Sequence, residues 1–239
     1  MNILITGGAS GLGAAITKKL ALNNNTKVYF TYSKSEDKAN SLKATYPNVI
    51  PIRVDFTNQN QVDALLKQMN EMDLDIIINN SIVNYEKKHF HKIDSKFFQQ
   101  SFALNVLPTI VITQEAIKRF RKKKFGKIIT ILTAGLINTP PIGWSEYTAN
   151  KAYLLSLSKS WATENIAFNI TSNAISPALM QTNLTSDMDE RVVEMAVQSH
   201  PLKKLLTTEE VAESVDYLVN ASQQINGINL VINSGVIVI

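Results

Sequence analysis

The chain has 239 residues, of which 45% are apolar and 18% are charged, so it can bury a sizeable core and is not a disordered chain. It contains no cysteine and only three histidines, which excludes a disulfide scaffold, a thiolate metal site and a cysteine nucleophile, and we expect no metal site. A formal net charge of +4 is too small to predict nucleic-acid binding.

The apolar runs of the chain are short. The run at 3–5 is much shorter than the apolar region of a signal peptide. No run approaches the roughly 18 apolar residues that a membrane span requires. We therefore expect a cytoplasmic protein without membrane attachment.

Short β-branched runs alternate along the chain with longer segments of helical period. Strands are predicted at 2–6, 27–32, 49–54, 75–79, 127–132, 170–176 and 228–232. Helices are predicted at 12–23, 36–45, 58–70, 95–122, 146–165 and 208–220. Thr57 or Asn58 is expected to cap the third helix, and Thr207 or Thr208 the last one.

This alternation predicts an α/β fold, with one domain over residues 1–239. The expected architecture is a Rossmann-type, doubly wound parallel sheet of about seven strands with helices on both faces. Irregular stretches at 80–94 and 134–145 and a candidate lid at 178–200 are expected at the carboxyl ends of the strands, where such folds bind ligands.

The connection between the first strand and the first helix is rich in glycine. Four of the nine glycines in the chain occur there, at positions 7, 8, 11 and 13. Backbone without Cβ atoms lets a diphosphate approach the amide groups at a helix N-terminus. Ala14 and Ala15 stand where a Walker loop has lysine and serine or threonine, so this is not a nucleoside-triphosphate loop. A tight turn without a ligand is the alternative interpretation.

Tyr147 and Lys151 are four residues apart and share one face of a predicted helix. A nearby ammonium group favours the phenolate and lowers the tyrosine pKa toward the working pH, so that the phenol can exchange a proton with a substrate oxygen. A solvated helix face is the alternative, because this spacing is common.

Several motifs together resemble the short-chain dehydrogenase/reductase family. They are the pattern Thr-Gly-x-x-x-Gly-x-Gly at 6–13, the Tyr-x-x-x-Lys pair, Asn79-Asn80 after the fourth strand, and Asn-x-x-x-Pro at 173–177. The resemblance spans the chain and implies a nicotinamide dinucleotide. The residues that it places against the cofactor are Gly7, Ser10, Gly11, Leu12, Gly13, Ser33, Lys34, Asp55, Phe56, Asn80, Ser81, Tyr147, Lys151, Pro177 and Thr182.

The same resemblance assigns the catalytic residues. Tyr147 would donate the proton, and Lys151 would assist it and bind the nicotinamide ribose. Counting from the start of the fifth strand puts Thr133 at the position of the family's serine, whose hydroxyl holds the substrate carbonyl. Counting back from Tyr147 gives Ala134 instead. We prefer Thr133, because loops absorb insertions more readily than buried strands do, and Ser145 is a distant third candidate.

Asn105 matches the asparagine that holds a proton-relay water in this family. Satisfying a neighbouring carbonyl is the alternative for a buried helical asparagine. The motifs also depart from the family at Ser81, Ile82 and Ala178, where smaller residues are usual. The branched Ile82 is expected to crowd the nicotinamide side of the site.

The end of the second strand predicts the coenzyme. No carboxylate follows it until Glu36, whereas an acidic residue there would bind a ribose diol and repel a 2′-phosphate. Ser33 and Lys34 could bind that phosphate instead, so NADP is preferred over NAD. A plain solvated lysine is the alternative for Lys34.

The pattern Pro-Leu followed by Thr-x-Glu-Glu-Val-Ala over 201–212 is most similar to the 3-oxoacyl-carrier-protein reductases. That similarity implies reduction of a ketone to a secondary alcohol, on a small thioester or on one tethered to a carrier protein. The basic run 119–124 could contact an acidic carrier, although a charged helix end is the commoner reason for such a run.

Two other functions stay open. The altered motif positions favour a dinucleotide-binding partner or sensor without catalysis, and the fold also serves sugar or polyketide dehydrogenases of specialised pathways. The apolar segment 235–239 predicts burial against another subunit, hence a homodimer or homotetramer.

Overall fold

The computed structural model describes residues 1–83, 87–137, 139–180, 182, 190–236 and 238. Seven strands form one parallel sheet in the order β3-β2-β1-β4-β5-β6-β7. The strands are β1 (Asn2–Ile5), β2 (Lys27–Tyr32), β3 (Val49–Arg53), β4 (Ile76–Asn79), β5 (Gly126–Ile131), β6 (Ile170–Pro177) and β7 (Asn229–Ile232). The predicted fold class is confirmed.

Eight α-helices connect the strands within the described residues. They are α1 (Gly11–Ala21), α2 (Glu36–Thr45), α3 (Gln59–Gln68), α4 (Ser95–Asn105), α5 (Leu107–Lys123), α6 (Ser145–Asn165), α7 (Glu190–Ser199) and α8 (Thr208–Asn220). No helix in these ranges is long and apolar enough to cross a membrane.

Alternate residues of the strands face two separate helix layers. Ile3 and Ile5 pack with α1, α2 and α8, whereas Leu4 packs with α3, α5 and α6. All three side chains are fully buried. Because both faces of the sheet are covered, β-branched and aliphatic residues can follow one another without a polar face, and this produces the apolar runs in the sequence.

The strand order reverses direction at β1, which lies between β2 and β4. The chain leaves β1 toward α1 on one side of the sheet and leaves β4 toward α4 on the other. A crevice therefore opens at the carboxyl ends of these two strands, and this is the position at which open α/β sheets bind ligands.

The single helix predicted at 95–122 is wrong: the chain forms α4 and α5, which meet at Val106. Pro108 is the second residue of α5 and has no N–H group to donate to the preceding turn. Proline is accepted at this place because the first turn of a helix has no intrahelical partners for its N–H groups. The proline therefore marks a helix start that hydrophobic periodicity alone does not reveal.

The predicted lid at 178–200 contains a helix that the sequence reasoning did not predict, α7. Residues 181 and 183–189 of this stretch lie outside the described residues, as do 84–86 and 138 in the two irregular stretches. Ile237 and Ile239 of the apolar C-terminal segment also lie outside them.

The structure decides between the alternative caps. Asn58 caps α3, because its side chain accepts hydrogen bonds from the N–H groups of Asn60 and Gln61. Thr207 caps α8 in a reciprocal arrangement with Glu210. The other boundaries agree with the predicted ones to within one or two residues, as expected for fraying element ends.

Candidate active site

The glycine-rich turn after β1 is folded tightly on itself. Gly7 has a φ of +70°, a left-handed conformation that glycine adopts without strain. A Cβ atom on Gly13 would lie 2.0 Å from the carbonyl oxygen of Gly7, so no larger residue fits there. Thr31 holds the turn from the neighbouring strand, accepting bonds from Gly7 N (3.0 Å, at its hydroxyl) and from Gly8 N (2.9 Å, at its carbonyl).

Asn80 fastens the end of β4 to this turn. Its side-chain amide donates to the carbonyl oxygens of Thr6 (2.9 Å) and Gly7 (3.2 Å). In return, the Thr6 hydroxyl accepts bonds from the backbone N–H groups of Asn80 (2.9 Å) and Ser81 (3.1 Å). The Asn80 amide is thus engaged in shaping the turn, and its contact with a cofactor stays a prediction.

A cavity of about 750 Å³ opens at the carboxyl ends of β1, β4, β5 and β6. Twelve of the residues singled out in the sequence line it. They are Gly7, Ser10, Gly11, Leu12, Gly13, Asn80, Ser81, Thr133, Tyr147, Lys151, Pro177 and Thr182. Ile82 and Ala178 line it as well, so the branched residue at 82 forms part of the wall and leaves this volume open.

The residues on this wall fit a dinucleotide. The N-terminus of α1 presents backbone N–H groups and the positive end of its dipole beside the glycine turn, which suits a diphosphate. Ser10 precedes α1 and its side chain makes no capping bond. A Cβ on Gly11 would make only an ordinary van der Waals contact, with Thr182 Cβ at 3.8 Å, although the φ of +51° at this position favours glycine.

Tyr147 and Lys151 line the same cavity. Lys151 is 7% exposed, its Nζ donates to the Ile131 carbonyl oxygen (2.7 Å), and it lies 5.8 Å from the centroid of the Tyr147 ring. Burial penalises the ammonium and lowers the pKa of Lys151 to about 8. The Trp144 ring packs edge-on against Tyr147, 5.2 Å between centroids, and restricts its motion.

Thr133 follows β5 and lines the cavity together with Ala134, so both positions considered for the family's serine reach the site. The Thr133 hydroxyl accepts a bond from Gly135 N (3.2 Å) and can still donate its own proton. Ser145, the third candidate, is not among the described residues that line the cavity.

Asn105 lines a second, small cavity behind the first. This space of about 10 Å³ is also lined by Tyr147 and Lys151, and it has roughly the size that one water molecule needs. The Asn105 side chain accepts a bond from Val83 N (2.7 Å) and donates one to Ser101 Oγ (3.1 Å). Its position fits the predicted relay role, which stays a prediction.

Four of the predicted cofactor residues do not line the large cavity: Ser33, Lys34, Asp55 and Phe56. Asp55 Oδ1 accepts bonds from the N–H (2.9 Å) and the hydroxyl (2.8 Å) of Thr57, and these bonds hold the pKa of Asp55 below its ordinary value. The Phe56 ring packs in the core against α3, so only its backbone could face a ligand. Ser33 and exposed Lys34 follow β2 at the same edge of the sheet.

The basic run at 119–124 lies at the end of α5, just before the amino end of β5. Its charges have partners nearby: Arg119 pairs with Glu115 (2.6 Å), and Lys123 with Asp73 (2.9 Å) and Asp75 (2.6 Å). The charged-helix-end interpretation fits these pairs, and no residue of this run lines the cavity.

The sequence analysis expected a lid at 178–200 but singled out no residue of the helix within it. Val192, Ala196 and Ser199 of α7, followed by His200 and Leu205, also line the cavity. The apolar spacing of Val192 and Ala196, four residues apart, was the available signal for a helix there. Val192, Ala196, Leu205 and Trp144 together form an apolar wall of the cavity.

Arg53 was also not singled out. It ends β3 and lies in register beside Tyr32, next to Ser33 and Lys34, where it forms an ion pair of 3.6 Å with Glu36. The edge predicted to recognise a 2′-phosphate therefore carries a second cation. Among the described residues, no group of three or more histidine, aspartate or glutamate side chains could hold a metal ion.

Comparisons with known proteins agree with this geometry. The family model described as enoyl-(acyl carrier protein) reductase matches residues 7–237. The 3-oxoacyl-[acyl-carrier-protein] reductase FabG of Rickettsia prowazekii (strain Madrid E) is 30% identical over 239 residues, covering 99% of this chain and 96% of the relative.

Solved structures match over nearly the whole chain. A double mutant of a Serratia marcescens short-chain dehydrogenase/reductase has a TM-score of 0.87 and 26% identity, covering 98% of this chain and 97% of its own. ElxO, solved with NADP bound, has a TM-score of 0.87 and 25% identity, covering 98% of each chain. The likeness therefore extends over all seven strands of the sheet.

Proposed function

The chain belongs to the short-chain dehydrogenase/reductase family, and we propose that it reduces the ketone of a 3-oxoacyl thioester to a secondary alcohol with NADPH. One observation carries the proposal: Tyr147 and Lys151 face the same cavity as the glycine turn. A relative that is 30% identical over almost the full chain bears the name of a 3-oxoacyl-carrier-protein reductase, which supports this choice of substrate.

Residues of both cavities take separate roles in such a reaction. The nicotinamide dinucleotide, when bound at the glycine turn, supplies the hydride for the carbonyl carbon. The Thr133 hydroxyl donates a hydrogen bond to the carbonyl oxygen, and the Tyr147 phenol gives that oxygen its proton. The Lys151 ammonium stabilises the negative charge left on Tyr147, and its burial strengthens this attraction. Asn105 holds the water that returns a proton through Lys151.

The preference for NADPH rests on the edge beyond β2 and β3. Ser33, Lys34 and Arg53 offer one hydroxyl and two cations there, and a phosphate would share Arg53 with Glu36, the first carboxylate after β2 (3.6 Å). A 2′-phosphate carries more negative charge than a diol and gains more from these groups. ElxO, a structural neighbour, was solved with NADP bound, which supports the same preference.

The mouth of the cavity suits a thioester on a carrier protein. The segment 87–96 carries four lysines and two histidines against one aspartate, although Glu86 just before it lies outside the described residues. Lys88 N donates to Gly143 O (3.0 Å), and Lys87 Nζ lies 5.6 Å from the ring centroid of Trp144, so this basic segment borders the apolar wall. An acidic carrier would be attracted to the basic segment, while the acyl chain lies on the apolar wall.

The first experiment replaces Tyr147 with phenylalanine. Removing the proton donor is expected to lower kcat by about 10²- to 10⁴-fold, because general acid catalysis contributes that much. NADPH binding, measured by fluorescence titration, should change little, since the ring remains. Unchanged turnover in Tyr147→Phe would overturn the assignment, and tight binding without oxidation of NADPH by any ketone in the wild type would indicate a binding protein or sensor instead.

The same assay identifies the reaction. With deuterium at the transferred position of NADPH, a 3-oxoacyl reductase must leave the label on the alcohol carbon. Label on a saturated chain carbon would indicate an enoyl substrate, which the description of the matching family model also names. Turnover of carrier-tethered and free 3-oxoacyl thioesters, compared with simple ketones and sugars, then separates the proposed substrate from those of specialised pathways.

A further inference from the structure

A carboxyl group is buried directly beside the candidate catalytic tyrosine. Glu146 precedes Tyr147 in the first turn of α6 and is 2% exposed. Its Oε1 atom accepts a hydrogen bond from the hydroxyl of Ser101, a residue of α4 that is 1% exposed. Burying a carboxyl costs free energy unless it is well hydrogen-bonded, so a residue of this kind calls for a specific role.

The hydrogen bonds around Ser101 have only one consistent direction. Its oxygen accepts bonds from Asn105 Nδ2 (3.1 Å) and from Asn150 Nδ2 (2.9 Å). Both lone pairs are then occupied, and the hydroxyl proton is directed to Glu146. Asn150 donates its second amide hydrogen to the same Glu146 oxygen (2.7 Å). Glu146 is therefore the acceptor of both the Ser101 and the Asn150 bonds.

Two contacts together fix the amide of Asn105. The backbone N–H group of Val83 can only donate, so the NH2 group of Asn105 faces Ser101, whose oxygen can accept its bond because the Ser101 proton is directed to Glu146. The Asn105 carbonyl oxygen then faces Val83 N, from which it accepts a bond of 2.7 Å. A flipped amide would set its NH2 against the Val83 N–H group and its oxygen against an oxygen that has no proton to give.

We propose that Glu146 is a positioning residue for the reaction, acting through Ser101 to orient Asn105. Glu146, Asn105 and Asn150 line the small cavity together with Tyr147 and Lys151, so this network shapes the wall of the space that suits one water. The inference rests on the proposed function, in which Asn105 holds the relay water. It assigns to Glu146 no contact with substrate or cofactor.

Three single variants test the acceptor role. Glu146→Gln keeps an oxygen that can accept from Ser101 and Asn150, so kcat should stay within about threefold of the wild type. Glu146→Ala and Ser101→Ala break the network, and a displaced Asn105 should lower kcat by about 10- to 100-fold. The Kd of NADPH should change by less than about twofold in all three, because none of these residues lines the large cavity. A Glu146→Gln variant as slow as Glu146→Ala would overturn the proposal.

A double-mutant cycle separates positioning from a merely structural role. If Glu146 acts through Asn105, adding Glu146→Ala to Asn105→Ala should slow kcat no further, because the group that it orients is already gone. If the losses in kcat of the two single variants instead multiply in the double variant, the proposal is overturned. Unfolding free energies of the same set should be measured alongside, since both helices lose buried hydrogen bonds.

Ser158→Ala is the matched control on the same helix. Ser158 is buried and shares a hydrogen bond of 2.9 Å with Ser172, but it lines neither cavity within the described residues. The Ser158→Ala variant should lose stability without losing kcat.

Hydrogen exchange at the Val83 amide gives a readout independent of turnover. The exchange rate should increase in Glu146→Ala and stay unchanged in Ser158→Ala. Equal exchange rates in both variants would contradict the inference, whereas a wild type without reductase activity would refute the proposed function and leave this exchange test intact.

Discussion

Lys151 is the residue whose chemistry depends most on its surroundings. It is almost completely buried between β5 and Tyr147, and this burial brings its pKa down to about 8. At neutral pH most of the molecules therefore still carry the ammonium that stabilises a phenolate. As the pH rises through about 8, that charge is lost while the phenol remains in place.

We therefore predict that the rate of the reduction decreases at alkaline pH. The value of kcat/KM should fall as the pH rises through about 8, because kcat/KM reports the ionisations of the free enzyme and Lys151 is losing its proton there. Lys159→Met, which replaces an exposed lysine of the same helix, is the control and should show the same decrease of kcat/KM with pH. A flat profile between pH 7 and pH 9 would show that the Lys151 charge does not govern the rate.

Local spacing predicted that Tyr147 and Lys151 lie together, because residues four positions apart share one face of a helix. The structure places both in one cavity. The network of Glu146 and Ser101 could not be predicted in this way. These two residues are separated by 45 positions and meet only because α4 packs on α6. Side-chain pairs that depend on tertiary packing leave no periodic signal in the sequence.

At the scale of elements, the parallel strands were the easiest to predict, since burial on both faces makes each of them a short apolar run. The helices needed more than hydrophobic period. Pro108 divides α4 from α5 without interrupting the apolar pattern, and α7, which is as long as the predicted α2 and α3, was missed because the whole stretch 178–200 was interpreted as a lid. Capping chemistry, in contrast, predicted the start of α8 well, leaving only Thr207 and Thr208 to choose between.

That cap leads to a prediction about stability. The Thr207 hydroxyl accepts a bond from Glu210 N (3.2 Å), and the Glu210 carboxylate accepts one from Thr207 N (2.9 Å). Thr207→Ala should lower the free energy of unfolding by about 1 kcal/mol, a typical value for the loss of an N-cap. Thr208→Ala is the control, because its hydroxyl donates only to exposed Glu209, and its effect should stay within about 0.5 kcal/mol. Equal losses in chemical denaturation would contradict the assignment of the cap.

The same cap should be sensitive to acid. The hydrogen bond from Lys204, followed by that from the Thr207 backbone, lowers the pKa of Glu210 from 4.5 to about 2. A lowered carboxyl pKa stabilises the fold above the unfolded value, and this contribution is lost as the pH falls from about 4.5 toward 2. The difference in stability between the wild type and Glu210→Gln, which has no carboxylate to protonate, should therefore shrink over this pH range.

Over the whole molecule, the cavity joins parts of the chain that are far apart in sequence: the turn after β1, the ends of β4 to β6, the start of α6, and α7. A ligand that bridges these parts binds only the folded chain. Its binding free energy therefore adds directly to the stability of the fold. This coupling gives a test of coenzyme choice that does not require a known substrate.

We predict that NADPH raises the melting temperature. At about 100 times its Kd, it should add about 2.7 kcal/mol of stability. For a domain of this length, that corresponds to a rise of about 5–10 °C. Tyr147→Phe should show nearly the same rise, because it removes a proton donor and keeps the binding surface.

NADH at the same concentration should raise the melting temperature less, since it lacks the phosphate that Ser33, Lys34 and Arg53 would bind. Lys34→Glu should remove most of this difference between the coenzymes by placing a negative charge beside the phosphate. Lys43→Glu, which makes the same charge change in the last turn of α2, is the control and should preserve the difference. Equal rises with NADPH and NADH in the wild type would contradict the preference for NADP, while a rise with neither coenzyme would contradict dinucleotide binding at the glycine turn.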